Sequence, residues 1–121
     1  MLPVWTATTG GTMESSPAVA YGQVFIGSDD HSIYAFDADT GALDWKFETG
    51  GAIQLGAPVV ANGVVYCGSY DHNIYALDAS TGVELWHYTT GNEMNTAPAV
   101  ADGVLYMGTA DYNLYAFHLP G

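Results

Sequence analysis

The chain has 121 residues, nearly half of them apolar, and thirteen acids against a single cation, Lys46, give a net charge of −12. That balance excludes nucleic acid and insertion at an anionic membrane surface, because both need Lys or Arg to neutralise phosphate. Cys67 has no second cysteine to pair with, and no apolar run reaches the roughly 20 residues of a membrane helix, so a soluble single domain is expected.

The N-terminal stretch "VWTATTGG", residues 4–11, has a counterpart further along in "DWKFETGG", residues 44–51, matching Trp5 with Trp45, Thr9 with Thr49 and Gly10 with Gly50. From Ser16 the chain spells "SPAVAYGQVFIGSDDHSIYAFD", then "APVVANGVVYCGSYDHNIYALD" from Ala57, then "APAVADGVLYMGTADYNLYAFH" from Ala97. Pro17, Pro58 and Pro98 each stand five residues before a glycine (Gly22, Gly63, Gly103) and seventeen before a tyrosine (Tyr34, Tyr75, Tyr115). Such self-similarity at a period of about 40 residues marks a repeat architecture.

Within each repeat, alternation and turn chemistry predict strands, with no helical period anywhere. A short strand ("PAVA", "PVVA", "PAVA") meets a two-residue turn at Tyr21-Gly22, Asn62-Gly63 or Asp102-Gly103. Asn-Gly and Asp-Gly suit such turns, because both central residues need φ > 0. A second strand ("QVFIGS", "VVYCGS", "VLYMGT"), a polar turn and a third ("IYAFD", "IYALD", "LYAFH") follow, and "LDWKFET" or "ELWHYTT" supplies a fourth. A four-stranded antiparallel meander of this length has the dimensions of one propeller blade. The third repeat has no fourth strand of its own. Ala35 and Trp45 are ten residues apart, as are Ala76 and Trp86; counting ten from Ala116 through joined chain ends arrives at Trp5. The expected organisation is therefore all-β: an outer strand at 1–11 that completes the last blade, blade 1 at 12–50, blade 2 at 51–91 and blade 3 at 92–121.

The pattern Ala-x-Asp-x-x-Thr-Gly-x-x-x-Trp stands as Ala35, Asp37, Thr40, Gly41, Trp45 and as Ala76, Asp78, Thr81, Gly82, Trp86. It resembles the tryptophan-docking motif of the pyrroloquinoline-quinone (PQQ) repeat β-propellers, and the resemblance spans essentially the whole chain. Asp and Thr can bond backbone N–H groups across the turn, Gly can supply a left-handed residue, and the small Ala leaves room for an indole to lie flat. In the third copy Ala116 and Trp5 fit, but His118 replaces the Asp, and Gly121 and Met1 fall where Thr and Gly belong.

The resemblance implies either of two functions. Quinoprotein alcohol dehydrogenases of this family use an Asp base and calcium against PQQ, beside an adjacent pair of cysteines that this chain lacks. Non-catalytic relatives, the outer-membrane-protein assembly lipoproteins, imply a scaffold that binds a peptide or protein in a periplasmic or extracytoplasmic setting. The expectation is the second: no enzyme, no cofactor and no metal site. The alternative is a fragment of a PQQ-dependent quinoprotein dehydrogenase or of another longer PQQ-repeat protein.

Asp30, Asp71 and Asp111 recur in turns where the fold itself wants Asp. His31, His72 and Tyr112 occupy one equivalent position per blade; a metal ring is one reading and solvent-facing turn residues the other, and the second is expected because ligands must close to about 2 Å. His87 and His118 are expected as partly exposed strand residues. The least repetitive segments, "GGTMESS", "GGAIQLG" and "GNEMNTA", are expected to form a binding rim with Met13, Glu14, Ile53, Gln54, Glu93, Met94 and Asn95, beside His31 and His72, since variable loops on a repeated scaffold carry binding. Three blades fall short of the four to eight that usually close a propeller. Two copies supply six, so the partner expected is a second copy, each N-terminal strand completing the other's last blade.

Overall fold

The computed structural model describes residues 2–54, 57–93, 98–110 and 112–119; Met94 and Asn95 of the expected rim, Asp111, and the docking-turn positions Met1 and Gly121 lie outside them. Every regular element among the described residues is a strand. Blade 1 is β1 (Ala18–Ala20), β2 (Gln23–Gly27), β3 (Ser32–Asp37) and β4 (Leu43–Glu48), hydrogen-bonded in that order. Blade 2 repeats it with β5 (Val59–Ala61), β6 (Val64–Gly68), β7 (Asn73–Asp78) and β8 (Glu84–Thr89). Among the described residues blade 3 has three strands, β9 (Ala99–Ala101), β10 (Val104–Gly108) and β11 (Leu114–His118).

Turn chemistry sets the meander. Tyr21-Gly22, Asn62-Gly63 and Asp102-Gly103 all take positive φ, 50–77°, which matches the twist of the strands they join. At the outer turn Asp37 Oδ1 accepts the N–H groups of Asp39 and Thr40 at 2.9 and 3.0 Å, and Gly41 closes the turn at φ 77°. Asp78 and Gly82 do the same in blade 2.

The middle strands are buried on both faces, so β3 and β7 read as apolar runs. Phe25, Ile33, Ala35 and Trp45 face Ile53, Val65, Cys67, Tyr75 and Leu77 of blade 2 in one core. Tyr66, Ile74 and Ala76 face Leu105, Met107 and Phe117 of blade 3 in a second. The short strands β1, β5 and β9 approach one another at the inner ends of the blades.

The tryptophans clamp blade to blade, but not onto the small alanines. Ala35 merely opposes Trp45 across the β3–β4 ladder. A bulge follows that pair, and the indole passes over the next blade, donating to the Ala79 carbonyl at 2.8 Å. There it lies on Gly82, whose missing Cβ would sit 2.6 Å from the ring. The docking glycine thus answers two demands, a left-handed backbone and an indole at contact distance.

Trp5 repeats this on blade 1, donating to the Ala38 carbonyl at 2.9 Å and lying over Gly41. Among the described residues the segment around it joins no sheet, and β11 lies at the edge of its own. Within a single chain, then, the N-terminal stretch does not complete blade 3. It sits where the outer strand of a blade preceding blade 1 would sit, and a strand needs a ladder partner that this position lacks.

Candidate functional site

The turns between the second and third strands gather at one end of the blades, beside the connections from outer to inner strands. Asp30 accepts the Gly10 N–H at 2.9 Å, the Ser32 N–H at 3.0 Å and the Tyr34 hydroxyl. Burial alone would raise its carboxyl, but these bonds together hold it below the usual carboxylate range. Asp71 accepts Gly50 N–H, Asn73 N–H and the Tyr75 hydroxyl in the same way. Burial, followed by the bond to Asp71, pushes the Tyr75 hydroxyl up to about 12. Both recurrent acids are therefore consumed in tying a turn to the strand that enters from the preceding blade.

A threonine completes the tie. Thr49 Oγ1 lies within hydrogen-bonding distance of the His31 and Gly51 carbonyls and of Ser69 Oγ, at 2.7–2.9 Å, while its N–H donates to the His31 carbonyl. Thr90 N–H donates likewise to the His72 carbonyl. Both carbonyls are presented by residues at φ 79° and 77°, and Tyr112 shares that conformation at 71°. The side chains of His31, His72 and Tyr112 point to solvent. Among the described residues no three His, Cys, Asp or Glu side chains converge where they could hold a metal ion.

Of the expected rim, Met13, Glu14, His31 and His72 are exposed, and Gln54 and Glu93 are half-buried. Ile53 is not a rim residue: it is fully buried, directly over Gly27, where an added Cβ would lie 2.0 Å from its Cγ2. Its connection has the same "GG" start as the first, but its side chain turns into the blade 1–blade 2 core. Sequence reasoning missed Asp29 and Tyr70. Glu14 shares a hydrogen bond with Asp29 and feels its charge, which raises the Glu14 carboxyl. Burial, then the charges of Glu93, Glu14 and Asp29, raise the Tyr70 hydroxyl. The available signal was that positions 29, 70 and 110 vary (Asp, Tyr, Ala) beside an acid that does not. This end of the blades is thus acidic, with Tyr70 among Glu14, Asp29 and Glu93.

At the opposite end a groove of about 360 Å³ between blades 1 and 2 is lined by Tyr21, Gln23, Asn62, Asp78, Ser80 and Leu85. The Tyr21 hydroxyl accepts the Gly63 N–H at 2.7 Å, bridging two hairpin turns. His87 is exposed and lies 3.4 Å from Glu84, and His118 is exposed at the end of β11.

Acid should loosen this structure. Backbone bonds from Thr40 and Asp39 hold the Asp37 carboxyl below its usual 3.8, and the Ser80 hydroxyl and N–H do so for Asp78. With Asp30 also depressed, the stability these groups contribute is present above the unfolded value and lost as pH falls through the lower folded values. Glu14, being raised, runs the other way. The expected result is a midpoint of urea unfolding that falls below about pH 4; a midpoint unchanged down to pH 2.5 refutes it.

The family model for outer membrane protein assembly factor BamB matches residues 3–55 and 45–119. No curated protein sequence matches the chain. Among solved structures, BamB from Moraxella catarrhalis superposes with a TM-score of 0.86 at 23% identity, over 96% of this chain and 36% of that one. A quinohemoprotein alcohol dehydrogenase from Pseudomonas putida HK5 gives 0.77 at 24% identity, covering 93% and 20%. A europium-containing methanol dehydrogenase gives 0.76 at 24%, covering 88% and 22%. The chain therefore spans between a fifth and about a third of the length of these proteins.

Proposed function

Because the chain belongs to the PQQ-repeat β-propeller family represented by outer membrane protein assembly factor BamB, we propose that it is a non-enzymatic propeller module that closes a ring with a second copy of itself and binds a peptide or protein at its acidic rim. The observation that carries this reading is a pair of terminal blade faces with no blade against them. That of blade 3 is exposed, and that of blade 1 is buried only by the chain's own N-terminal segment, where Trp5 and Ala7 pack on Ile26, Tyr34 and Phe36. On blade 3, Tyr106, Leu114 and Ala116 are exposed, Leu114 by 73%, whereas the equivalent Phe25, Ile33 and Ala35 of blade 1 are completely buried by blade 2. On blade 1, Val24, Ile26 and Phe36 line an apolar recess of about 190 Å³ with Trp5, Ala7 and Met13. The first face is built like one that covers a following blade, and the second like one that is covered. Two copies satisfy both faces with six blades, inside the usual range. Light scattering on the purified chain should give the mass of two copies, with a melting temperature that rises with concentration. A well-folded monomer overturns the reading.

Absence of catalysis is supported by what the acids do. Asp30, Asp37, Asp71 and Asp78 all accept backbone N–H groups of their own turns, a structural task that recurs with the repeat. Cys67 is fully buried, and burial pushes its thiol up to about 12. These residues do not fit PQQ with calcium.

The two dehydrogenases among the similar folds support a second reading equally: the three blades are a section of a longer quinoprotein, whose other blades cover both terminal faces and carry the cofactor residues. The mass in solution distinguishes them: a defined dimer is expected from the first reading, and a section deprived of its other blades should give none. Dye-coupled oxidation of alcohols after incubation with PQQ and calcium tests catalysis by the chain itself; no turnover is expected, and turnover abolished by one Asp substitution would overturn the non-enzymatic reading.

A further inference from the structure

Resting on that ring, we infer that the seam is a strand exchange of defined register, in which each N-terminal segment pairs with β11 of the other copy, placing Trp5 opposite Ala116 and Thr8 opposite Asn113. The register comes from the two intact blades. β3 and β4 pair Ser32 with Glu48, Tyr34 with Lys46 and Ala35 with Trp45; β7 and β8 pair Asn73 with Thr89, Tyr75 with His87 and Ala76 with Trp86. Carrying the same offsets to the outer edge of β11 sets Thr8 against Asn113, Thr6 against Tyr115 and Trp5 against Ala116.

Three observations converge on this register. The Thr49 N–H donates to the His31 carbonyl and that of Thr90 to the His72 carbonyl. Thr9 holds Ser28 Oγ at 2.9 Å and the adjacent Gly10 N–H donates to Asp30, while among the described residues the Thr9 N–H meets no carbonyl equivalent to those of His31 and His72. Tyr112, in the left-handed conformation of His31 and His72, presents that carbonyl at the end of blade 3. The second is a side-chain pair: Thr89 Oγ1 donates to Asn73 Oδ1 at 2.5 Å, and Thr8 with Asn113 repeats those two residue types at those two positions. The third is Pro3, which falls opposite Phe117, where both intact ladders are bulged, a sheet position at which proline is tolerated.

Each N-terminal segment would therefore be held twice. Trp5, Thr9 and Gly10 anchor it to blade 1 of its own chain, while its ladder edge serves β11 of the other. Because this docking is already present in one copy, the segment meets its partner as a preformed edge, and little ordering cost remains at association.

The experiment is a disulfide across the seam. The carbonyl–amide bond from position 9 to 112 brackets a non-hydrogen-bonded pair at 8 and 113, where Cα atoms approach to about 4.5 Å, within disulfide range. Thr8→Cys with Asn113→Cys should give a covalent dimer on a non-reducing gel after mild oxidation. Thr6→Cys with Asn113→Cys, out of register by two residues, should not. Cys67 stays silent, since thiolate is the reactive form and that thiol is buried and pushed up to about 12. Both altered positions are exposed; should the double variant fold poorly, mixing the two single variants gives the same readout between different copies. A chain that is dimeric by light scattering yet forms no 8–113 disulfide, or links the off-register pair as readily, overturns the strand exchange and leaves the ring standing. A well-folded monomer overturns both.

Discussion

Trp45→Ala is expected to destabilise the chain by about 3–5 kcal/mol, the range of large aromatic truncations in cores. The indole is 8% exposed, packs on Phe25 with ring centroids 5.9 Å apart, lies over Gly82 and donates to the Ala79 carbonyl. One side chain thus joins β4 of blade 1 to the outer turn of blade 2. Its removal opens a cavity between two sheets that share no backbone ladder, so collapse cannot readily fill it. Trp45→Phe keeps most of the apolar contact and loses the N–H donor, a change of about 1 kcal/mol. Trp86→Ala should cost less than Trp45→Ala: that indole is half-buried, and among the described residues it has no hydrogen-bond acceptor. Urea titration of the four proteins gives the order directly, and equal losses at Trp45 and Trp86 would refute the clamp.

Gly82→Ala should cost about 2–4 kcal/mol, from a left-handed residue that resists a Cβ and a methyl forced against a packed ring. The added carbon would lie 2.6 and 2.7 Å from Cδ2 and Cε3 of Trp45, and the indole is pinned by its bond to Ala79 and has no free end to swing away. Gly63→Ala is the control. Its φ of 77° is nearly the same as the 76° at Gly82, but an added Cβ there meets nothing within 4 Å. It should show the backbone strain alone, about 1–2 kcal/mol. The difference between the two variants measures the collision with the indole, and equal effects would mean that the glycine serves only the turn.

The blade was legible because its signals are local. Turn residues at Tyr21-Gly22, Asn62-Gly63 and Asp102-Gly103, apolar runs at β3 and β7, and prolines ahead of β1, β5 and β9 act within a few residues of where they stand. Repetition added the rest, since three copies that agree leave little room for another strand assignment. The recurrence of Asp30 and Asp71 was legible as structural for the same reason, and their bonds to Gly10 and Gly50 give that reading its contacts.

The rim was less legible. Its expected members were chosen as variable loop residues, a property that reports connection and not direction. Ile53 turned inward over Gly27, while Asp29 and Tyr70, from turns passed over as repetitive, stand with Glu14 and Glu93. Which side of a loop faces the core depends on the neighbouring blade.

By itself, then, the sequence determined the all-β class, the three-fold repeat, the strand and turn positions and the docking motif, all of which follow from periodicity and from backbone preferences of single residues. Only the tertiary structure decided that the indoles of Trp5 and Trp45 land on Gly41 and Gly82, that the N-terminal segment is docked on blade 1 without a ladder and buries its face, and that the outer face of blade 3 is exposed. Those features depend on how one sheet packs on the next, and side chains meeting across some 30–40 residues of chain leave no local trace in the order of amino acids.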